Sequence, residues 1–221
     1  MDNNEDFIPL NFTEKSNEKM LESSKGFYDD LNKRRSVREF SDGEVDIDVI
    51  KNIVLAAGTA PSGAHKQPWS FCVVQNNDIK SKIREAAEKE EYENYHGRMS
   101  EEWLADLEKF KTDHIKPFLE IAPYLIIVFK QAYNEDGSQR GRNYYVNESV
   151  GIAVGMLLAA INNAGLVALT HTPSPMNFLA EILERPKNER AYLLIPVGYP
   201  AEGCEVPDLE RKTLEEICKI Y

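Results

Sequence analysis

RRSVR, residues 34–38, sets three arginines within five positions of a chain whose formal net charge is -11. Guanidinium forks match phosphate oxygens bidentately and do not lose their charge. The cluster points to an anionic cofactor group, against the plainer reading of a solvated basic patch. PSGAH, residues 61–65, places a serine and a glycine in a tight loop. Exposed backbone N–H groups there suit an oxyanion or a flavin edge, although the same residues also make an ordinary turn. THTP, residues 170–173, carries two hydroxyls where a strand ends. In EKEEYENYHGRM, residues 88–99, Glu91 and Tyr95 are four apart and share a helical face. Together with the later Lys116 they offer a carboxylate, a phenol and an ammonium. That set matches an amino-acid zwitterion, with lysine on the carboxylate and glutamate on the ammonium. A charged helical face is commonly just solvated, so spacing leaves both readings open.

Several chemistries find no support. The chain has neither a GxGxxG fingerprint nor a P-loop. His65, His96, His114 and His171 lack zinc spacing. Cys72, Cys204 and Cys218 form no even framework, and Cys72 sits in the apolar run WSFCVV, which reads as core. A reduced, cytosolic compartment fits this cysteine usage. The acidic balance disfavours nucleic-acid binding. The first twenty residues are acidic, with no apolar run of the signal-peptide kind. SVGIAVGMLLAAINNAG, residues 149–165, falls short of a membrane span and reads as a buried helix.

The elements that must position these residues follow from pattern. Residues 1–25 are polar and acidic and read as an arm, partly disordered. Residues 26–221 suit a single domain. Asp46 caps a helix with Val49, Ile50, Ile53, Val54 and Ala57 as its apolar stripe, and Gly58 suits a left-handed stop. Residues 59–69 form a loop broken by Pro61, Gly63 and Pro68, and SFCVVQ is a strand. Residues 80–116 are charged and helical. YLIIVFK is a buried strand, and NEDGSQRGRN a mobile loop. The helix over 147–164 carries small residues that admit close approach of another backbone. LVALTHTP is a strand running into a loop, a short helix covers 177–183, and AYLLIPVGYP is the last strand. The tail, residues 206–221, is long enough to pack on a neighbour. Alternating strands and helices predict an α/β or α+β sandwich.

RRSVREF, AAGTAPSGAHKQPWSFCVV, EEYENYHGRM, WLADLEKFKTDHIK, APYLIIVFKQ, NAGLVALTHTP and LLIPVGYPAE…VPDLERK occur in one order. In that order the chain resembles the nitroreductase-like flavoproteins, and among them the iodotyrosine deiodinase family. The likeness covers roughly residues 34–212. RRSVR is general to the superfamily, whereas GTAPSGAH with E-x-x-x-Y and a distant lysine is far more specific. The resemblance implies an α+β nitroreductase-like fold, with a mostly antiparallel central sheet flanked by helices. It implies a domain-swapped homodimer exchanging C-terminal arms (residues 205–221), and an active-site lid over residues 85–117.

It also implies FMN as cofactor. Arg34, Arg35, Ser36, Val37 and Arg38 would bind it, with arginines on the phosphate and Arg38 near the N1/O2 edge. Pro61, Ser62 and Gly63 would touch the flavin from across the dimer interface. Thr170, His171 and Thr172 would line its other side, the Thr172 hydroxyl meeting N5, and Arg211 would be a second phosphate ligand. Glu91, Tyr95 and Lys116 would grip the substrate zwitterion, and the Ala64 N–H would meet its phenolate. His171 departs from the pattern, since a hydroxyl residue is common there. Residues 128–145 depart in length and composition, which touches a loop and none of the motifs. The vertebrate relatives carry an N-terminal membrane anchor that this sequence lacks, so a soluble, cytoplasmic protein is expected. The activity implied is FMN-dependent reductive dehalogenation of halotyrosines, with electrons from NAD(P)H directly or through a reductase, and with neither nucleic acid nor membrane as partner. An NAD(P)H-dependent nitroreductase or quinone reductase on the same fold would keep RRSVR without the zwitterion triad. A flavin- or halotyrosine-binding protein without turnover is a third reading.

Overall fold

The computed structural model describes residues 7–133 and 141–221. An N-terminal unit reaches to Arg34, and a second unit spans Arg35–Tyr221. In the first, α1 (Asn17–Lys33) starts at Ser16, whose hydroxyl accepts the Lys19 N–H, and no residue of the helix is buried. Helix thus replaces irregular chain over the last part of the expected polar arm.

In the second unit, α2 (Ile47–Gly58) begins where the Asp46 carboxylate accepts the Asp48 N–H at 2.8 Å. Ile50, Ile53 and Ala57 bury its inner face. Gly58 does not form the left-handed stop expected of it. It stays in the last turn, because Thr59 follows in right-handed geometry and donates both its N–H and its hydroxyl to the Ala56 carbonyl.

The sheet is built from β1 (Trp69–Val74), β2 (Tyr124–Gln131), β3 (Val167–Ala168) and β4 (Glu189–Gly198). It runs in the order β1-β2-β4-β3, with every pairing antiparallel. Tyr124 through Phe129 are all buried, which marks β2 as a central strand covered on both faces. Its side chains alternate between two cores. Tyr124, Ile126 and Val128 join α2 and α6 (Val146–Asn163). Leu125, Ile127 and Phe129 join Ile83 and Ala87 of α3 (Asn77–Glu93), with Phe118 and Leu119 of the short α5 (Phe118–Ile121) and Leu179 of α7 (Asn177–Ile182). The result is the expected mixed sandwich, helices on both faces of an antiparallel sheet.

Between α3 and α5 lie a π turn (Asn94–Arg98) and α4 (Glu101–Glu108). The last helix, α8 (Leu214–Ile217), is a single turn with a Thr213–Glu216 capping box. Of the expected loop at NEDGSQRGRN, residues 134–140 lie outside the described residues. Beyond them Arg142 bridges to Tyr133, and buried Asn143 donates to the Gln131 carbonyl at 2.9 Å. Among the described residues no helix is long and apolar enough to cross a membrane.

Candidate active site

Helical spacing brings Glu91 and Tyr95 to one face, and a π turn extends that face. The Met99 N–H reaches back five residues to the Asn94 carbonyl at 2.9 Å. The wider turn lets Asn94 and Tyr95 follow Glu91 inward, and such turns recur at functional sites. Glu91 is 6 % exposed and Asn94 8 %. Lys116 arrives from the far end of the segment and is equally buried. Its Nζ stands 3.5 Å from Glu91 Oε2 and donates to Thr112 Oγ1 at 3.1 Å and to the Asp113 carbonyl. The Tyr95 hydroxyl donates to the Thr112 carbonyl at 3.2 Å, and the Lys116 ammonium lies 5.4 Å from the Tyr95 ring centre.

Glu91, Tyr95, Thr112 and Lys116 wall a cavity of about 180 Å³, whose lining also includes Arg38, Thr170, His171 and Thr172. Apolar side chains complete it: Met99, Trp103 and Leu107 at successive intervals of four, with Phe118 and Leu169. That interval of four was visible in the sequence as a helical stripe, but nothing in it distinguished a cavity wall from core.

Burial sets the electrostatics. Desolvation raises the Glu91 pKa and lowers that of Lys116, and each partner's charge acts against the shift. Burial, then Glu91, raises the Tyr95 phenol. Desolvation also lowers Arg38, with Tyr95 opposing it. His171 is pushed down to about 3 by burial first, then by Lys116 and Arg38, so its ring is neutral. Its Nε2 is buried and has no hydrogen-bond partner among the described residues.

The other expected ligands are distributed as follows. The Arg38 guanidinium lies 5.1 Å from the Phe110 ring centre. Arg35 donates to the Pro207 carbonyl, Ser36 bridges to Ala168, and Val37 is core. Arg34 caps α1 in the N-terminal unit, and Arg211 lies exposed in the tail. Pro61 and Ala64 are exposed, while Ser62 and Gly63 are half-buried. None of these four lines the cavity. Their loop is strained: Ala64, His65 and Gln67 all hold positive φ, a conformation that costs of order 1 kcal/mol or more and clusters at functional sites. Gly63 lets it approach α6, since a Cβ there would stand 3.1 Å from the Tyr144 carbonyl oxygen and from the Tyr145 ring.

Two carboxylates of the charged run 88–93 are held by partners rather than solvated. The Glu88 carboxylate accepts from Arg84 Nε and from the Lys116 N–H, each at 2.7 Å, and Glu90 pairs with Arg98 at 2.6 Å. Lys89 and Glu93 of that run are exposed. Tyr92, half-exposed, stacks on His96 with ring centres 4.1 Å apart.

A family profile described as Nitroreductase family matches residues 31–199. The chain belongs to the nitroreductase family. Within that family it is 62% identical over 217 residues to an iodotyrosine deiodinase of Haliscomenobacter hydrossis, covering 97% of each chain. It is 50% identical to the iodotyrosine deiodinase of Hydra vulgaris, over 96% of this chain and 79% of that one. A solved structure of oxidised iodotyrosine deiodinase bound to FMN and 3-iodo-L-tyrosine superposes with TM-score 0.74. That match has 31% identity and covers 85% of this chain and 96% of the other.

Proposed function

We propose that this chain is an FMN-dependent reductive dehalogenase of halotyrosines, taking 3-iodo-L-tyrosine, and its bromo and chloro analogues, to L-tyrosine and halide. The observation that carries the reading is the buried Glu91–Lys116 pair with Tyr95, opening into the cavity that Thr170 and Thr172 also line. A carboxylate and an ammonium buried side by side suit a ligand that carries both charges itself. Glu91 takes the ligand ammonium, Lys116 its carboxylate and Tyr95 either. Met99, Trp103 and Leu107 exclude water as the segment 85–117 closes over the ring.

FMN fits the residues present. Among the described residues, the half-buried Arg38 faces a ring rather than a carboxylate, so an anionic group nearby offsets its desolvation. Arg34, Arg35, Ser36, Val37 and Arg211 hold the cofactor with it, arginines on the phosphate, while Thr170, His171 and Thr172 line one side. The Thr172 hydroxyl would be a hydrogen-bond partner for the cofactor's N5. Pro61, Ser62 and Gly63 reach the cofactor from a second copy in a homodimer that exchanges its arms, residues 205–221. The Ala64 N–H, presented by its strained loop, stabilises the substrate phenolate. Bound FMN, reduced by NAD(P)H directly or through a reductase, supplies two electrons; one proton replaces the halogen and halide leaves.

The nitroreductase reading leaves the Glu91–Lys116 pair without a use. The test is anaerobic: dithionite-reduced holoprotein is mixed with 3-iodo-L-tyrosine, with tyrosine, iodide and flavin reoxidation measured. All three should appear in equal amounts. Absence of tyrosine at saturating ligand overturns the dehalogenase reading, and an unchanged flavin at that point favours a binding protein.

A further inference from the structure

Asn94 was not among the residues expected at the site, yet it is the polar side chain between Glu91 and Tyr95 on the buried face of the π turn. It is not among the residues that line the cavity. Its Nδ2 donates to the Ser174 carbonyl at 2.8 Å, across 80 residues of sequence. Its Oδ1 accepts from Arg98 at 3.5 Å, and Arg98 is itself held by Glu90 at 2.6 Å. Donor and acceptor ends of the amide are therefore assigned by their partners. A flipped amide would face N–H to guanidinium and oxygen to carbonyl.

The far end of this link matters as much. The Ser174 N–H donates to the Thr172 carbonyl at 2.8 Å, closing a tight turn over residues 172–174. Upstream, His171 is locked to β4 by a reciprocal pair of backbone bonds with Leu194, at 2.9 and 3.0 Å. Thr172 thus sits between a fixed strand bridge and a turn whose outer carbonyl is held by Asn94. Thr172 itself is exposed and lines the cavity.

We infer that Asn94 is a positioning residue, tying the substrate-gripping turn to the Thr172 loop so that the Thr172 hydroxyl is held in place only when Glu91 and Tyr95 are. The inference rests on the proposed function for the role of Thr172, but the tie itself does not. Asn94 does not line the cavity proposed to hold the substrate. It acts because Glu91, Asn94 and Tyr95 ride on one turn, so ordering by a ligand at the first and third also fixes the second. A buried amide with both ends satisfied is a rigid link, and losing its donor leaves the Ser174 carbonyl without that partner.

Two variants test this. Asn94→Ala removes the link. Asn94→Asp keeps shape and the Arg98 partner but loses the donor and sets a carboxylate against the Ser174 carbonyl, which guards against a folding defect in the first. Amide hydrogen exchange on the FMN-loaded protein reads the tie without turnover. The Ser174 amide should exchange about tenfold or more faster in both variants, as loss of one restraining hydrogen bond allows, with α2 and β2 unchanged. An unchanged Ser174 rate in both variants overturns the inference, whatever the protein's activity.

Turnover of 3-iodo-L-tyrosine then separates positioning from scaffolding. In each Asn94 variant kcat should fall about tenfold, while halotyrosine affinity, from quenching of oxidised flavin fluorescence, changes less than about threefold. Asn94→Ala/Thr172→Ala should be no slower than Thr172→Ala alone, because Asn94 acts through Thr172. Additive losses overturn the positioning role. A wild-type protein with protected Ser174 and no turnover rejects the dehalogenase reading while leaving the tie in place.

Discussion

The Lys116 ammonium stands 3.5 Å from the Glu91 carboxylate, with side-chain exposures of only 4% and 8%. Burial works against both charges, raising one pKa and lowering the other, and the pair answers part of that cost internally. A zwitterion inserted between them would give each a new opposite charge. The same arrangement would reject a ligand with only one charge, because the unmatched partner would stay buried.

Glu91→Gln should therefore weaken 3-iodo-L-tyrosine binding by about 10- to 100-fold, the range for a charged hydrogen bond lost in a buried site. Fluorescence quenching of the oxidised holoprotein measures it. Tyramine, which keeps the ammonium but lacks the carboxylate, should bind the wild-type protein poorly, and Lys116→Met should narrow its disadvantage by removing the charge that tyramine leaves unmatched. Equal affinity of variant and wild type for iodotyrosine would remove Glu91 from the grip.

Burial of the His171 ring predicts acid sensitivity. Its folded pKa, about 3, lies below the ordinary 6.5. A depressed folded value contributes stability that is full above the unfolded pKa and is lost as pH falls towards the folded one. From this residue alone, stability should drop by about 2 kcal/mol between pH 7 and pH 5. Urea unfolding at both pH values should show that loss in the wild type. His171→Thr, which restores a hydroxyl, should lack it. Parallel pH profiles for the two proteins would show that the buried imidazole is not the cause.

Much of this architecture could be read from residue order. YLIIVFK is apolar at every position but its last, as a doubly covered central strand must be, and Asp46 announced α2 by cap chemistry. Glu91 and Tyr95 share a helical face by spacing, but that left a solvated surface equally open, and only the family resemblance singled them out with Lys116 as a set. Other features were hidden for physical reasons. Glu88 looked solvated because one partner is the Lys116 backbone N–H, 28 positions away, which no side-chain pattern records. Gly58 reads as a helix stop because glycine favours left-handed backbone, whereas the Thr59 N–H and hydroxyl close the turn without it. Asn94 carries no sequence signal because a π turn is a hydrogen-bond pattern, invisible to hydrophobic periodicity.

Gly198, at the end of β4, is a packing requirement. A Cβ there would lie 2.4 Å from Pro123 Cδ and 2.8 Å from Cγ. The proline ring cannot rotate away as a long side chain would, and it directly precedes β2. Gly198→Ala should lower unfolding free energy by about 1–3 kcal/mol through overpacking. Denaturant unfolding of the two proteins checks this, and a variant as stable as wild type would mean that the β2–β4 edge yields without cost.

Glu88 offers the last test, because it separates holding the lid from gripping the ligand. Its carboxylate accepts from Arg84, which also reaches Glu120 at 2.9 Å, and from the Lys116 N–H. It therefore fixes the backbone from which the Lys116 side chain projects, without entering the cavity. Glu88→Gln keeps an acceptor oxygen of similar reach, whereas Glu88→Ala removes it. Halotyrosine affinity should fall about tenfold in Glu88→Ala and much less in Glu88→Gln, as one backbone hydrogen bond to a carboxylate predicts. FMN content should be unchanged in both, since the Glu88 carboxylate is bound to Arg84 and the Lys116 N–H and does not line the cavity. Equal losses in the two variants would assign the effect to the Arg84 ion pair, and loss of FMN would show that the lid and the cofactor site are not separable at this residue.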